Sequence, residues 1–408
     1  MKVVPITMSS SSNIEWTEAT WNPVVGCRPV SPGCLNCYAA RMARRLEAMG
    51  RPEYAPIVTA TDTRSVSQIQ REDNLSYASA LRKKQSGETI RIAEVRGGRP
   101  VFTGLVRMVP DRLTDPLHWR KPRRVLVNSM SDLFHEAVPF EFINQVFSVM
   151  ALAPQHTFQV LTKRPERMAE YLSQLQAAAD AHVQSTVKKE FTPVDVIRFR
   201  WAMARRLGGP ASGWQTVGPV VPHDIPWPLP NVWLGASVEN QATADARIPH
   251  LLRCPAAVRF ISAEPLLEEV DVRPYLHRAS HRVCPKCLFA SNLADDTTCP
   301  NDGEKLRRDI ALDWVIVGGE SGPGARPCRI AWIRSIVRQC EAAGVPVFVK
   351  QLGSKPEGDP TPPPIYNPET GVTRHRVMQV VDIRSRKGSD PSEWPKDIDK
   401  RQMPEVGR

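Results

Sequence analysis

Six short apolar runs, at 124–130, 157–162, 232–238, 258–262, 314–318 and 345–350, constrain this chain more than any other feature of it. Each ends in polar residues, and most are followed by a helical pattern. Strands that are apolar almost throughout must be buried on both faces, and strands alternating with helices pair in parallel. The expected fold is therefore α/β, a partial or complete parallel (β/α) barrel. At 408 residues the chain exceeds one ordinary core, so the barrel is expected to carry inserted segments. We place the barrel at 14–353, after a flexible N-terminus at 1–13. It is interrupted by a basic insertion at 61–124, a helical and Pro-rich insertion at 177–230, and a third at 277–308 that carries a second cysteine cluster. Within the first, Gly97-Gly98 and 99–109 are expected to close a hairpin. A Pro- and charge-rich extension at 354–408 reads as a surface segment or disordered end.

In a parallel barrel the loops after the strands converge on one mouth, and the chemistry collects there. Those strand ends carry Asn128, Ser129, Ser131 and Asp132, then Lys163 and Arg164, Ser237, Glu239 and Asn240, Ser262 and Glu264, Glu320 and Ser321, and Lys350 and Gln351. One polar strand end needs only water to explain it; polar sets at every end point to a lined mouth. Lys163, Arg164 and Lys350 suit a phosphate or carboxylate, Glu239 and Glu264 suit amine or hydroxyl recognition or acid/base work, and Glu320 is a further mouth-lining carboxylate. Glu239, Glu264, Glu320, Lys163 and Lys350 are thus the catalytic candidates. Ion pairing across the barrel top is the competing use of the same residues.

A formal charge of +11 favours an anionic partner, foremost a nucleic acid or nucleotide. The first residues lack a signal-peptide pattern and no apolar run is long enough to span a bilayer, so a cytoplasmic protein without a membrane partner is expected. In that reducing setting nine cysteines are expected to bind metal rather than to pair. Cys27, Cys34 and Cys37 form a Cys-x6-Cys-x2-Cys loop stiffened by Pro29, Pro32 and Gly33, just ahead of a helix running to Met49. The positive end and free amides of a helix N-terminus stabilise thiolates. Structural zinc requires a fourth ligand, and the next histidine is His118. Three thiolates on a [4Fe–4S] cluster instead leave one iron open to a small molecule. Buried thiols, or a knuckle completed from afar, are the plainer alternative.

These residues, taken with the blocks around them, resemble the phage- and prophage-encoded radical-SAM-like proteins of unassigned function. The resemblance is carried by Ile14-Glu-Trp-Thr17 with Trp21-Asn-Pro23, Cys34-Leu-Asn-Cys37-Tyr38, Asn128-Ser-Met-Ser-Asp-Leu-Phe-His135 and Leu161-Thr-Lys-Arg-Pro165. It continues through Leu234-Gly-Ala-Ser-Val-Glu239, Ser262-Ala-Glu-Pro265, Val317-Gly-Gly-Glu-Ser-Gly322 and Lys350-Gln351. It implies a radical-SAM barrel with a [4Fe–4S] cluster on Cys27, Cys34 and Cys37, S-adenosylmethionine at the open iron, and an electron donor to reduce the cluster. The commonest motif of such enzymes has three residues in its first interval, whereas six stand here. Their Gly-Gly-Glu element, which holds the amino group of S-adenosylmethionine, normally follows the second barrel strand, whereas Gly318-Gly-Glu320 follows a late one. The resemblance accordingly places Ser131 and Asp132 nearest the cofactor, together with Tyr38 and Ser237.

Cys284-Pro-Lys-Cys287 and Cys299-Pro-Asn-Asp302 have the layout of a zinc ribbon, with Asp302 where a fourth cysteine is usual. His277 or His281 is an alternative ligand, and a degenerate knuckle without zinc is the other reading. Cys254, Cys328 and Cys340 have no partners in the sequence and read as core thiols. The basic, aromatic stretch 196–207 suits phosphate tracking and base stacking, but its helical spacing fits a packed amphipathic helix better. The leading expectation is an iron–sulfur enzyme that cleaves S-adenosylmethionine reductively to modify or repair an anionic substrate, a base or nucleotide. The alternative from another class is a non-catalytic nucleic-acid-binding protein with structural metal sites. Zinc hydrolysis or deamination at the first cluster is weaker, because no His/Glu pair accompanies it.

Overall fold

A computed structural model of the chain describes residues 12, 14–58, 89–185, 226–276, 311–358 and 384–404, with short stretches at 282–283, 290–291, 298, 300, 307–308, 365–367 and 372–374. Cys284, Cys287, Cys299 and Asp302, and the stretch 196–207, lie outside the described residues.

The apolar runs form one seven-stranded, all-parallel sheet whose spatial order is its chain order: β1 (Ala19–Trp21), β2 (Arg124–Val127), β3 (Thr157–Thr162), β4 (Val232–Ser237), β5 (Val258–Ala263), β6 (Trp314–Gly318) and β7 (Val347–Gln351). The sheet curls into a half-barrel, so the architecture is α/β with a partial parallel barrel. The crossovers carry α1 (Tyr38–Ala48), α2 (Phe140–Leu152), α3 (Pro165–Ser185), α4 (Gln241–Leu252) and α5 (Ile330–Ala343). β1 adds a strand that the apolar runs did not predict.

Side chains alternate across the strands, and the two faces receive different residues. The outer face is aliphatic: Val125 and Val127, Val160, Leu234 and Ala236, Ile261 and Ala263, Val315 and Val317, and Val347 and Val349 pack into the main core with the helices. The inner face is aromatic at its base, where Trp16, Trp233, Phe260, Trp314 and Phe348 form a second cluster with Leu126, Val258 and Ile316. Trp314 stands edge-on to Trp16, Trp233 and Phe348 at centroid separations of 6.1, 5.8 and 6.3 Å, a favourable aromatic geometry. Gly235 is required here, because a Cβ would lie 2.5 Å from the Phe260 ring.

After β1 the chain turns over the mouth. Val24–Val25 pairs antiparallel with Arg107–Met108, and the amide of Gly26 donates to the carbonyl of Met130 at 3.2 Å. Gly26 has φ +90°, and a Cβ there would meet the Leu105 carbonyl oxygen. α1 buries Ala39, Ala40, Ala43 and Leu46 in a third cluster that includes Ala93 and Phe102 of the hairpin Ala93–Arg96 with Arg99–Phe102. Gly97 and Gly98 make that hairpin's two-residue turn, both with positive φ, and Arg99–Phe102, the first part of the expected 99–109, is its closing strand.

The C-terminal region is more than a surface extension. Residues 384–404 return to the exposed edge of β7, where Val349 donates to Lys400 at 2.7 Å and Gln402 to Val347 at 3.0 Å, with Trp394 and Ile398 buried. Covering an edge strand removes a pairing template. Among the described residues no helix is long and apolar enough to cross a membrane.

Candidate functional site

The carboxyl ends of the strands, the cysteine loop and the start of α1 enclose a cavity of about 260 Å³. Cys27, Cys34 and Cys37 all line it. So do all the strand-end residues named from the sequence except Glu239 and Asn240, together with Ile14, Trp16, Val30, Asn36 and Tyr38. The volume lies just below the roughly 300–1,000 Å³ usual for small-molecule sites. Asn240 caps α4, accepting from the amide of Thr243 at 2.9 Å, so its role is in the scaffold.

The three cysteines are half-buried free thiols. Cys34 closes a single 3-10 turn, and Cys37 is the N-cap of α1. Burial, and then the Asp132 carboxylate, push Cys27 up to about 12, against the opposing pull of Arg164, whose guanidinium lies 3.7 Å from the sulfur. A metal bound there would have to displace that thiol's proton. Among the described residues no three His, Cys, Asp or Glu side chains gather as they would around one ion. The residues present nevertheless fit an iron–sulfur group by their chemistry: three unpaired thiols on one cavity wall, a helix N-terminus beneath one of them, and an arginine beside another.

Two carboxylates clamp the loop at different points along it. Glu239 is fully buried; it accepts from the Ser31 hydroxyl at 2.7 Å, from Lys163 at 2.9 Å and from Arg247 at 2.9 Å. Burial alone would raise its pKa, but Lys163 and Arg247 outweigh that and hold the carboxyl below its ordinary 4.5. Gly33 passes so close that a Cβ would lie 2.4 Å from this carboxylate. Glu320 accepts from the Arg326 guanidinium at 2.6 and 3.0 Å, from the Arg326 backbone amide at 2.8 Å and from the Asn36 amide at 2.9 Å, while Arg326 also donates to the Pro32 carbonyl at 2.9 Å. Burial opposes ionisation here too, and the Arg326 contacts prevail, so Glu320 is also held below its ordinary value.

The remaining candidates are paired as well. Lys350 donates to both oxygens of Glu264 at 2.7 and 2.9 Å, and Gln351 donates to one of them at 3.0 Å. Asp132 accepts from the Thr162 hydroxyl at 2.7 Å, the amides of Phe134 and Lys163 at 3.0 Å each, and Arg164 at 3.1 Å. This arrangement ties the end of β3 to the end of β2. The Ser131 hydroxyl donates to Val24 at 2.8 Å, and the Tyr38 hydroxyl to the Ser129 carbonyl at 2.9 Å. Ser237 lines the wall beside Ser262. Ser31, Asn36, Arg247 and Arg326 escaped the sequence reading, because their signal is a contact made across the fold.

A family model described as a protein of unknown function (DUF5131) matches residues 11–386. No curated protein and no solved structure matches the chain.

Proposed function

The chain belongs to the DUF5131 family of proteins of unknown function, and we propose that it is a radical-SAM-like iron–sulfur enzyme acting on an anionic substrate, a nucleic-acid base or nucleotide. The observation that carries this reading is the convergence of Cys27, Cys34 and Cys37 with the polar ends of successive parallel strands on one cavity. Three thiols serve a cluster with an open iron, and a reduced cluster with S-adenosylmethionine bound supplies radical chemistry. The chain's own residues do the positioning. Glu239 and Glu320 hold the cysteine loop over the mouth through Ser31, Asn36 and Arg326. Arg164 places positive charge against Cys27. Lys350 and Glu264 form a paired acid and base on the cavity wall, able to hold an amine, a carboxylate or a phosphate oxygen. The apolar base excludes water from below. A one-electron donor and a cytoplasmic setting belong to the same proposal, and a zinc ribbon at Cys284, Cys287, Cys299 and Asp302 would be a separate rim module.

Anaerobic reconstitution with iron and sulfide, followed by dithionite and S-adenosylmethionine, tests the reading. Release of 5′-deoxyadenosine by the wild type, abolished by Cys34→Ala with the circular-dichroism spectrum retained, is the expected result. A fully loaded, reduced protein that releases none with single-stranded DNA, RNA or nucleotides present refutes it. Salt-sensitive nucleic-acid binding without that release would favour the non-catalytic alternative.

A further inference from the structure

Asn128 stands where β2 ends, on the same face of the strand as Leu126, and both line the cavity. Its side chain is 4% exposed, yet neither its amide nitrogen nor its amide oxygen has a hydrogen-bond partner among the described residues. Leaving a buried amide unpaired costs free energy that is recovered when a ligand, an ion or an ordered water pairs with it. The backbone is also unusual: Asn128 has φ +61°, and no other described non-glycine residue has a positive φ. Asparagine tolerates that region, but the backbone requirement alone does not explain an orphaned side chain on a cavity wall. A second orphan lines the same cavity. The Trp16 indole, 3% exposed, has no partner for its N–H among the described residues, and it packs in one cluster with Leu126, two residues before Asn128 in the chain.

A primary amide presents a donor and an acceptor side by side, and the matching ligand edge offers an acceptor beside a donor. Adenine offers this pair at its ring nitrogen and exocyclic amine, the pairing asparagine makes with adenine in nucleic-acid recognition; guanine and hypoxanthine offer two acceptors there. Trp16, Leu126 and Leu161 supply the flat apolar surroundings that a heteroaromatic ring needs. We infer that Asn128 reads the edge of an adenine ring held against the Trp16 side of the cavity. The inference rests on the proposed function only for the origin of that ring, which is either S-adenosylmethionine or a nucleic-acid substrate.

Calorimetric titration of the full-length, anaerobically purified protein with adenosine and with inosine provides the test. The wild type is expected to prefer adenosine by about tenfold or more, the usual worth of one bidentate base contact. Asn128→Gly keeps the left-handed backbone accessible and removes the amide with its single methylene, so it should fold like the wild type and lose the preference. S-adenosylhomocysteine and a single-stranded oligo-dA then separate the sources: the probe whose affinity falls in Asn128→Gly carries the ring that Asn128 reads. Absence of adenosine binding, equal affinity for adenosine and inosine, or a preference that survives in folded Asn128→Gly would each overturn the inference. An Asn128-dependent preference without 5′-deoxyadenosine release would leave it standing and remove the cleavage of S-adenosylmethionine; release without the preference would do the reverse.

Discussion

The two faces of the half-barrel are made by the same strands and do different work. Outward positions are aliphatic and packed by helices; inward positions run from an aromatic base to a polar rim. β6 shows the contrast within five residues: Val315 and Val317 join the outer core, Trp314 and Ile316 join the inner cluster, and Glu320 follows just beyond. The period of two therefore separates stability from chemistry, and a change on one face can leave the other intact.

The largest stability effect should come from the outer face. Phe158 is fully buried there, 5.7 Å from the Trp21 ring, and Phe158→Ala should cost about 3–5 kcal/mol in urea unfolding. Mouth substitutions such as Cys34→Ala should cost far less, and comparable losses at both would break the division between the faces. Glu239 links the two, since it is fully buried and also clamps the cysteine loop. Glu239→Gln leaves Lys163 and Arg247 without their carboxylate and should cost about 1–3 kcal/mol, with faster alkylation of Cys34 at fixed pH. A variant as stable as the wild type, with its thiol equally protected, would show that the clamp is unimportant.

The smallest effect is the dependence on pH. The folded-state pKa of Glu239 lies below its ordinary 4.5, so its stabilisation is complete above that value and is lost as pH falls through the lower folded value. Glu320 acts in the same direction. The melting temperature should drop as pH falls below about 4.5, and drop less in Glu239→Gln. An equal drop in the variant would assign the acid sensitivity to other groups.

Six of the seven strands were legible because each is a short run that is apolar or β-branched almost throughout. β1 was not: Ala19-Thr20-Trp21 is too short to show a pattern, and its place was visible only once β2 lay beside it. The polar rim could be named from strand ends, but its wiring could not. Ser31 meets Glu239 across 208 residues and Asn36 meets Glu320 across 284, distances over which residue type says nothing about contact. The catalytic candidates Glu239, Glu264, Glu320, Lys163 and Lys350 are therefore now defined by their pairings. Asn128 was one polar strand end among many until its empty hydrogen-bonding positions set it apart. The covering of the β7 edge by 384–404 was hidden by the proline and charge of the tail.

The most direct measurement is a count of iron and acid-labile sulfide in the anaerobically prepared protein, paired with the electron paramagnetic resonance spectrum after dithionite reduction. The account predicts about four of each per chain and a reduced-cluster signal that changes when S-adenosylmethionine is added, all lost in Cys27→Ala, Cys34→Ala and Cys37→Ala. Zinc in place of iron at this site, or a loaded cluster indifferent to all three substitutions, would contradict it.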